Sequence, residues 1–75
     1  MNINNNCLNL DVDAVITSYN QGTMILEAVQ SLCNQTVLPK RIIIVDDGTT
    51  DTYSIEILNA IGNDSELSVP VKIVF

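Results

Sequence analysis

Apolar positions along this chain change their spacing from block to block, and each change marks an element. Val12 to Thr17 (VDAVIT) is short, β-branched and apolar after Asp13, and the turn formers Ser18-Tyr19-Asn20-Gln21-Gly22 follow it. A buried strand and a loop are predicted there. From Thr23 to Gln35 the period lengthens. Met24, Ile25, Ala28, Val29, Leu32 and Cys33 form one continuous helical stripe, with Glu27, Gln30, Ser31 and Asn34 opposite. Cys33 thereby reads as a core residue. Pro39 cannot continue a helix and closes the connection. Ile42-Ile43-Ile44-Val45 is β-branched throughout and does not alternate, which predicts a strand buried on both faces of a helix-covered parallel sheet.

Asp46-Asp47-Gly48-Thr49-Thr50-Asp51 breaks that strand. A second helix is expected from about Thr50 to Ile61, with Thr49 or Thr50 as N-cap and Ile55, Leu58 and Ile61 facing inward. Gly62 suits a left-handed position just past its end. Asn63 to Ser68 reads as loop, and Val71 to Phe75 (VKIVF) as a third strand. The order is β-α-β-α-β. Right-handed crossovers then give an α/β fold with a parallel sheet, half of a doubly wound nucleotide-binding architecture. Residues 1–11 are asparagine-rich and aperiodic; they are expected to form a flexible leader, with order beginning near Val12 and one domain over residues 12–75.

Composition narrows the partners. Seventy-five residues make at most one small domain. At 47% hydrophobic and 16% charged the chain has material for a core, although a marginal one at this length. A net charge of −6 lacks the basic footprint of a nucleic-acid binder or of a protein held on an anionic membrane. No apolar run approaches the roughly 18 residues of a membrane span. The N-terminus has neither the basic nor the apolar region of a signal peptide. Cys7 and Cys33 are far apart and histidine is absent, which excludes the common zinc spacings and leaves one disulfide open. A reduced, cytoplasmic protein is expected.

In open parallel sheets, ligands bind at the carboxyl ends of the strands. Thr17-Ser18-Tyr19-Asn20 and Asp46-Asp47-Gly48 fall there. A tyrosine ring can stack on a base, a carboxylate can accept from a ring N–H, and a threonine hydroxyl can serve a base carbonyl. Gly48 permits a sharp turn, and the N-terminus of the second helix would favour an anion. The same residues have plainer uses: aspartate before a helix is commonly a turn or capping residue, and Ser18 and Asn20 are ordinary turn formers.

From Ala14 to Ile61 the chain resembles the start of a glycosyltransferase family 2 enzyme. Three motifs carry the resemblance: Val15-Ile16-Thr17-Ser18-Tyr19-Asn20, Ser31-Leu32-Cys33-Asn34-Gln35-Thr36, and Ile44-Val45-Asp46-Asp47-Gly48-Thr49-Thr50-Asp51. They stand in the family's order and at its intervals. Thr49 replaces a more usual serine and keeps the hydroxyl. The resemblance implies the N-terminal part of a Rossmann-like GT-A fold and a nucleotide-sugar donor, most often a UDP-sugar. It implies that Thr17, Tyr19, Asp46 and Asp47 bind the nucleotide-sugar: Thr17 and Tyr19 at the uracil, Asp47 at the base N–H, and Asp46 as the neighbouring acid. The family's D-x-D motif for Mn²⁺ or Mg²⁺ and its catalytic aspartate come later than these motifs, so neither metal ligands nor catalytic residues are expected in this chain. Asp11-Val12-Asp13 spells D-x-D but precedes the first strand, and no metal role is assigned to it.

The chain is thus expected to be truncated before the D-x-D motif, inactive alone, and prone to self-association through an exposed sheet edge and apolar face. Acceptors in the family include cell-surface polysaccharides, and the resemblance leads to the expectation of a cytoplasmic enzyme working near the inner face of the membrane. Three other readings compete. The haloacid dehalogenase D-x-D-G-T loop resembles Asp47-Gly48-Thr49, but Val45 stands where its nucleophilic aspartate would be. A receiver-like domain would carry its acidic pair after the first strand, whereas here the pair follows the second. A non-catalytic nucleotide-binding or interaction module remains an alternative to the enzyme fragment.

Overall fold

The computed structural model describes residues 8–75 and contains seven elements. These are β1 (Leu8–Asn9), β2 (Asp13–Ser18), α1 (Thr23–Cys33), β3 (Val37–Leu38), β4 (Arg41–Asp46), α2 (Thr52–Gly62) and β5 (Val71–Val74). A three-stranded parallel sheet runs in the order β2-β4-β5, as the α/β reading requires. Both crossovers advance in the same direction across the sheet, so right-handed connections put α1 and α2 on one face. The core lies between: Ile25 and Val29 from α1, Ile42 and Ile44 from β4, Leu58 and Ile61 from α2, with Leu38 and Val69 at its ends. Cys33 packs against this cluster as a free thiol.

Order begins earlier than Val12. Leu8 and Asn9 pair in parallel with Val37 and Leu38, and Leu10 N–H donates to Leu38 O at 2.7 Å. Lys40 N–H then donates to Val12 O at 2.7 Å and leads into the β2–β4 ladder. Between the two ladders lie Leu10–Val12 on one strand and only Pro39–Lys40 on the other. One extra residue bulges out beside the proline, which has no N–H for the ladder. The rest of the expected leader, residues 1–7 with Cys7, lies outside the described residues.

The expectation that β4 is buried on both faces is not met. Ile42, Ile44 and Asp46 are buried, while Ile43 is half-buried and Val45 is exposed. An unbroken β-branched run hides its own alternation, and only the placement of both helices on one side reveals it. The other face presents Val15, Ile43, Val45 and Val74, with Val15 63% exposed. Asp13 and Arg41, register partners at its far end, form a bidentate pair at 3.1 and 2.8 Å. That hydrogen bonding holds the Asp13 carboxyl below its ordinary range, and the pair itself is solvent-exposed and weak.

α2 buries Leu58 and Ile61 as expected and differs in its first turn and its caps. Its N-cap is Asp51, whose carboxylate accepts from Ser54 N–H, and its inward residues are Ser54, Leu58 and Ile61. Ile55, expected inward, is only half-buried. At the other end Gly62 is the last helical residue, and Asn63 N–H closes the turn on Asn59 O and Ile61 O without a left-handed residue. Gly62 answers to packing instead: a Cβ there would sit 3.1 Å from Ile73 Cδ1, where α2 crosses β5.

Candidate functional site

The carboxyl ends of β2 and β4 lie side by side, in register to Ser18 and Asp46. Asp47 N–H donates to Ser18 O at 2.8 Å and extends the ladder one step. Strand alternation therefore sorts the residues at this edge. Ser18 and Asp46 point toward the helices and are buried, at 3% and 7% exposure. Thr17 falls in the opposite phase, and Thr17, Tyr19 and Asp47 are all exposed at this edge. Three of the four expected site residues are thus open to solvent at the strand ends. The fourth is not.

Asp46 turns inward to organise its own loop. Its Oδ2 accepts Thr49 N–H at 2.8 Å, and its Oδ1 accepts the Thr49 hydroxyl. Burial pushes this carboxyl up, but the Thr49 hydroxyl and amide outweigh burial, helped by Ser18 and Gly48, and hold it below its ordinary value. The buried Ser18 Oγ itself meets no partner in hydrogen-bonding geometry. Gly48, at φ 82°, makes the turn that folds Thr49 back onto Asp46. Asp46 is therefore a frame for the loop that presents Asp47.

The N-terminus of α2, expected to favour an anion, already has one. The Asp51 carboxylate accepts Ser54 N–H at 3.0 Å and the Ser54 hydroxyl at 2.7 Å, which hold its own titration low. Ser54 Oγ in turn accepts Gly22 N–H at 2.9 Å. Gly22 adopts φ 56°, ψ −133°, a backbone that side chains rarely permit, and so delivers that N–H. Asn20 makes further bonds to Thr49, Thr50 and Asp51. Asn20, Gly22, Asp51 and Ser54 were not among the expected site residues. For Asp51 and Ser54 the D-x-x-S spacing before a helix is a legible capping signal; for Asn20 and Gly22 no local signal exists, because their partners are distant in sequence.

A parallel sheet ending in two adjoining polar loops, with its helices right-handed crossovers, defines half of a Rossmann-like, nucleotide-binding α/β fold. Residues 13–74 match the model of Glycosyl transferase family 2, and the chain belongs to that family. Comparison with curated proteins and with solved structures gave no match. Members of the family transfer sugars from nucleotide-sugar donors and commonly use a divalent cation. The residues present do not fit such a cation: among the described residues no group of three or more His, Cys, Asp or Glu comes together. Asp11 and Asp13 lie at the opposite end of the strands, paired with Lys40 and Arg41. Among the described residues no helix is long and apolar enough to cross a membrane.

Proposed function

We propose that this chain holds the nucleobase end of a nucleotide-sugar donor, a UDP-sugar, for transfer to an acceptor such as a cell-surface polysaccharide. The observation that carries the reading is the common exposure of Thr17, Tyr19 and Asp47 at the carboxyl edge of two adjacent parallel strands. Tyr19 offers a face for the uracil to stack on, the Asp47 carboxylate accepts the ring N–H, and the Thr17 hydroxyl serves a base carbonyl. The Mn²⁺ or Mg²⁺ site and the general base belong to other parts of the enzyme. These 75 residues bind donor without turning it over, and the enzyme works in the cytoplasm, next to the membrane where its acceptor is assembled.

Titrating the ¹⁵N-labelled chain with UDP tests this. Amide shifts are expected at Thr17, Tyr19 and Asp47, with a Kd on the order of millimolar. Asp47→Ala should weaken binding by about tenfold or more, the worth of one hydrogen bond to a charged acceptor, without moving the denaturation midpoint. CDP should bind less well than UDP, because cytosine presents a lone pair to Asp47 where uracil presents N–H. An equal response from Asp47→Ala, or none from the folded wild type, would sink the proposal.

The second partner proposed is another copy of the chain, meeting it across the open sheet face of Val15, Ile43, Val45 and Val74. Sedimentation should show a mass rising with concentration, and more so in salt, which screens the −6 self-repulsion. The double variant Val15→Lys, Val45→Lys should stay monomeric. A wild type that is monomeric at every concentration contradicts this.

A further inference from the structure

We infer that Asn20 is a positioning residue of the donor site, fixing Tyr19 relative to Asp47; the inference rests on the proposed base-binding role of those two residues. Asn20 holds φ 47°, the one non-glycine among the described residues in the left-handed region. Asparagine adopts that backbone more readily than most residues, but it is still a cost that something must offset.

The offset is a set of bonds across 29 to 31 residues of sequence, all reaching the segment that follows Asp47. Asn20 Oδ1 accepts Thr50 N–H at 2.9 Å and Asp51 N–H at 3.0 Å, using both lone pairs of one carbonyl oxygen. Its Nδ2 reaches Thr50 Oγ1 at 3.5 Å. Its own N–H donates to Thr49 Oγ1 at 3.1 Å.

Proton directions in this network are determined by chemistry. A backbone N–H only donates and a carboxylate only accepts. The Thr49 hydroxyl, between Asn20 N–H and Asp46, therefore gives its single proton to Asp46 and accepts from Asn20. Ser54 stands in the same relation to Gly22 N–H and Asp51. Two parallel relays, each backbone N–H to hydroxyl to carboxylate, thus join the loop after β2 to the loop after β4. Asn20 adds the bridge between them. Tyr19 immediately precedes Asn20, and Asp47 sits inside the Asp46–Thr49 turn that Asn20 grips. Neither loop can shift without breaking bonds in the other.

Asn20→Gly tests this, since glycine accepts the positive φ and removes only the side chain. UDP affinity is expected to fall by at least about tenfold, as misplacing a binding group does. The urea midpoint and the spectrum of the core should stay near wild type. Amide exchange should quicken at Thr50 and Asp51 and leave Ile44 unchanged. Asn20→Asp keeps an acceptor for both amides and should restore most of the affinity, a rescue that a merely bulky or stabilising residue would not show. UDP binding by Asn20→Gly equal to wild type, or unchanged exchange at Thr50 and Asp51, overturns the role of Asn20 while leaving the donor-site reading intact. No UDP binding by the wild type overturns that reading and removes the donor-site role of Asn20 with it.

Discussion

Ile44→Ala is expected to cost about 2–5 kcal/mol, enough to leave much of this chain unfolded in water. Ile44 is fully buried on the middle strand, with β2 on one side and β5 on the other, beneath both helices. No edge is nearby to collapse into the space, so the lost methyl and methylene groups leave a cavity. A domain of this size has a total stability of roughly 4–11 kcal/mol at 0.05–0.15 kcal/mol per residue, and small cores sit at the low end. One residue therefore carries a large share. The informative comparison is Val15→Ala, on the opposite face of the neighbouring strand and 63% exposed; its cost should stay under about 1 kcal/mol, the scale of an exposed position. Urea titrations followed by circular dichroism measure both. Equal losses at concentrations where sedimentation shows a monomer would mean that the second face is covered within the chain, contrary to a layer of helices on one side only.

Asp46→Asn is expected to lower stability by about 1–3 kcal/mol near neutral pH and to abolish UDP binding as well. An amide presents one oxygen where the carboxylate presents two, and its NH₂ would face a Thr49 donor that now lacks a partner. The pH dependence separates this residue from its neighbours. Because the folded carboxyl is held below its ordinary value, its contribution is fully present above the unfolded value near pH 4 and is lost as pH falls through the folded one. Wild type and variant should therefore differ most at neutral pH and converge in acid. Asp13 and Asp51 are also held low and make both proteins acid-sensitive, but they are common to both and drop out of the difference. Asp47→Ala should show no such stability loss, since Asp47 is held by its backbone alone at Ser18. A stability difference between wild type and Asp46→Asn that persists undiminished into acid would refute the assignment.

Much of this fold is legible along the chain because its signals are local. The strands over Asp13–Ser18 and Arg41–Asp46 and the helix over Thr23–Cys33 follow from hydrophobic period and from turn formers, each acting within a few residues. The family motifs are contiguous too, which is why the residues between Ala14 and Ile61 suffice to suggest what the match over residues 13–74 shows. The misses have a different origin. The pairing of Leu8 and Asn9 depends on a partner strand at Val37–Leu38, and the burial of Ser54 in the first turn of α2 goes with its bond to Gly22, in a loop 32 residues earlier.

The order of the three longer strands and two helices, their parallel sheet and the two loops at its carboxyl edge were thus written in the chain, because period, turn chemistry and right-handed crossover act on neighbouring residues, whereas the short β1–β3 pair was not. The tertiary structure alone decided which aspartate faces the helices and which faces solvent. Ile42 to Val45 offers no alternation from which to count, and Asp46 and Asp47 are adjacent and chemically identical. Placing both helices on one side of the sheet buries Asp46 against Thr49, exposes Asp47 beside Tyr19, and brings Asn20 within reach of Asp51.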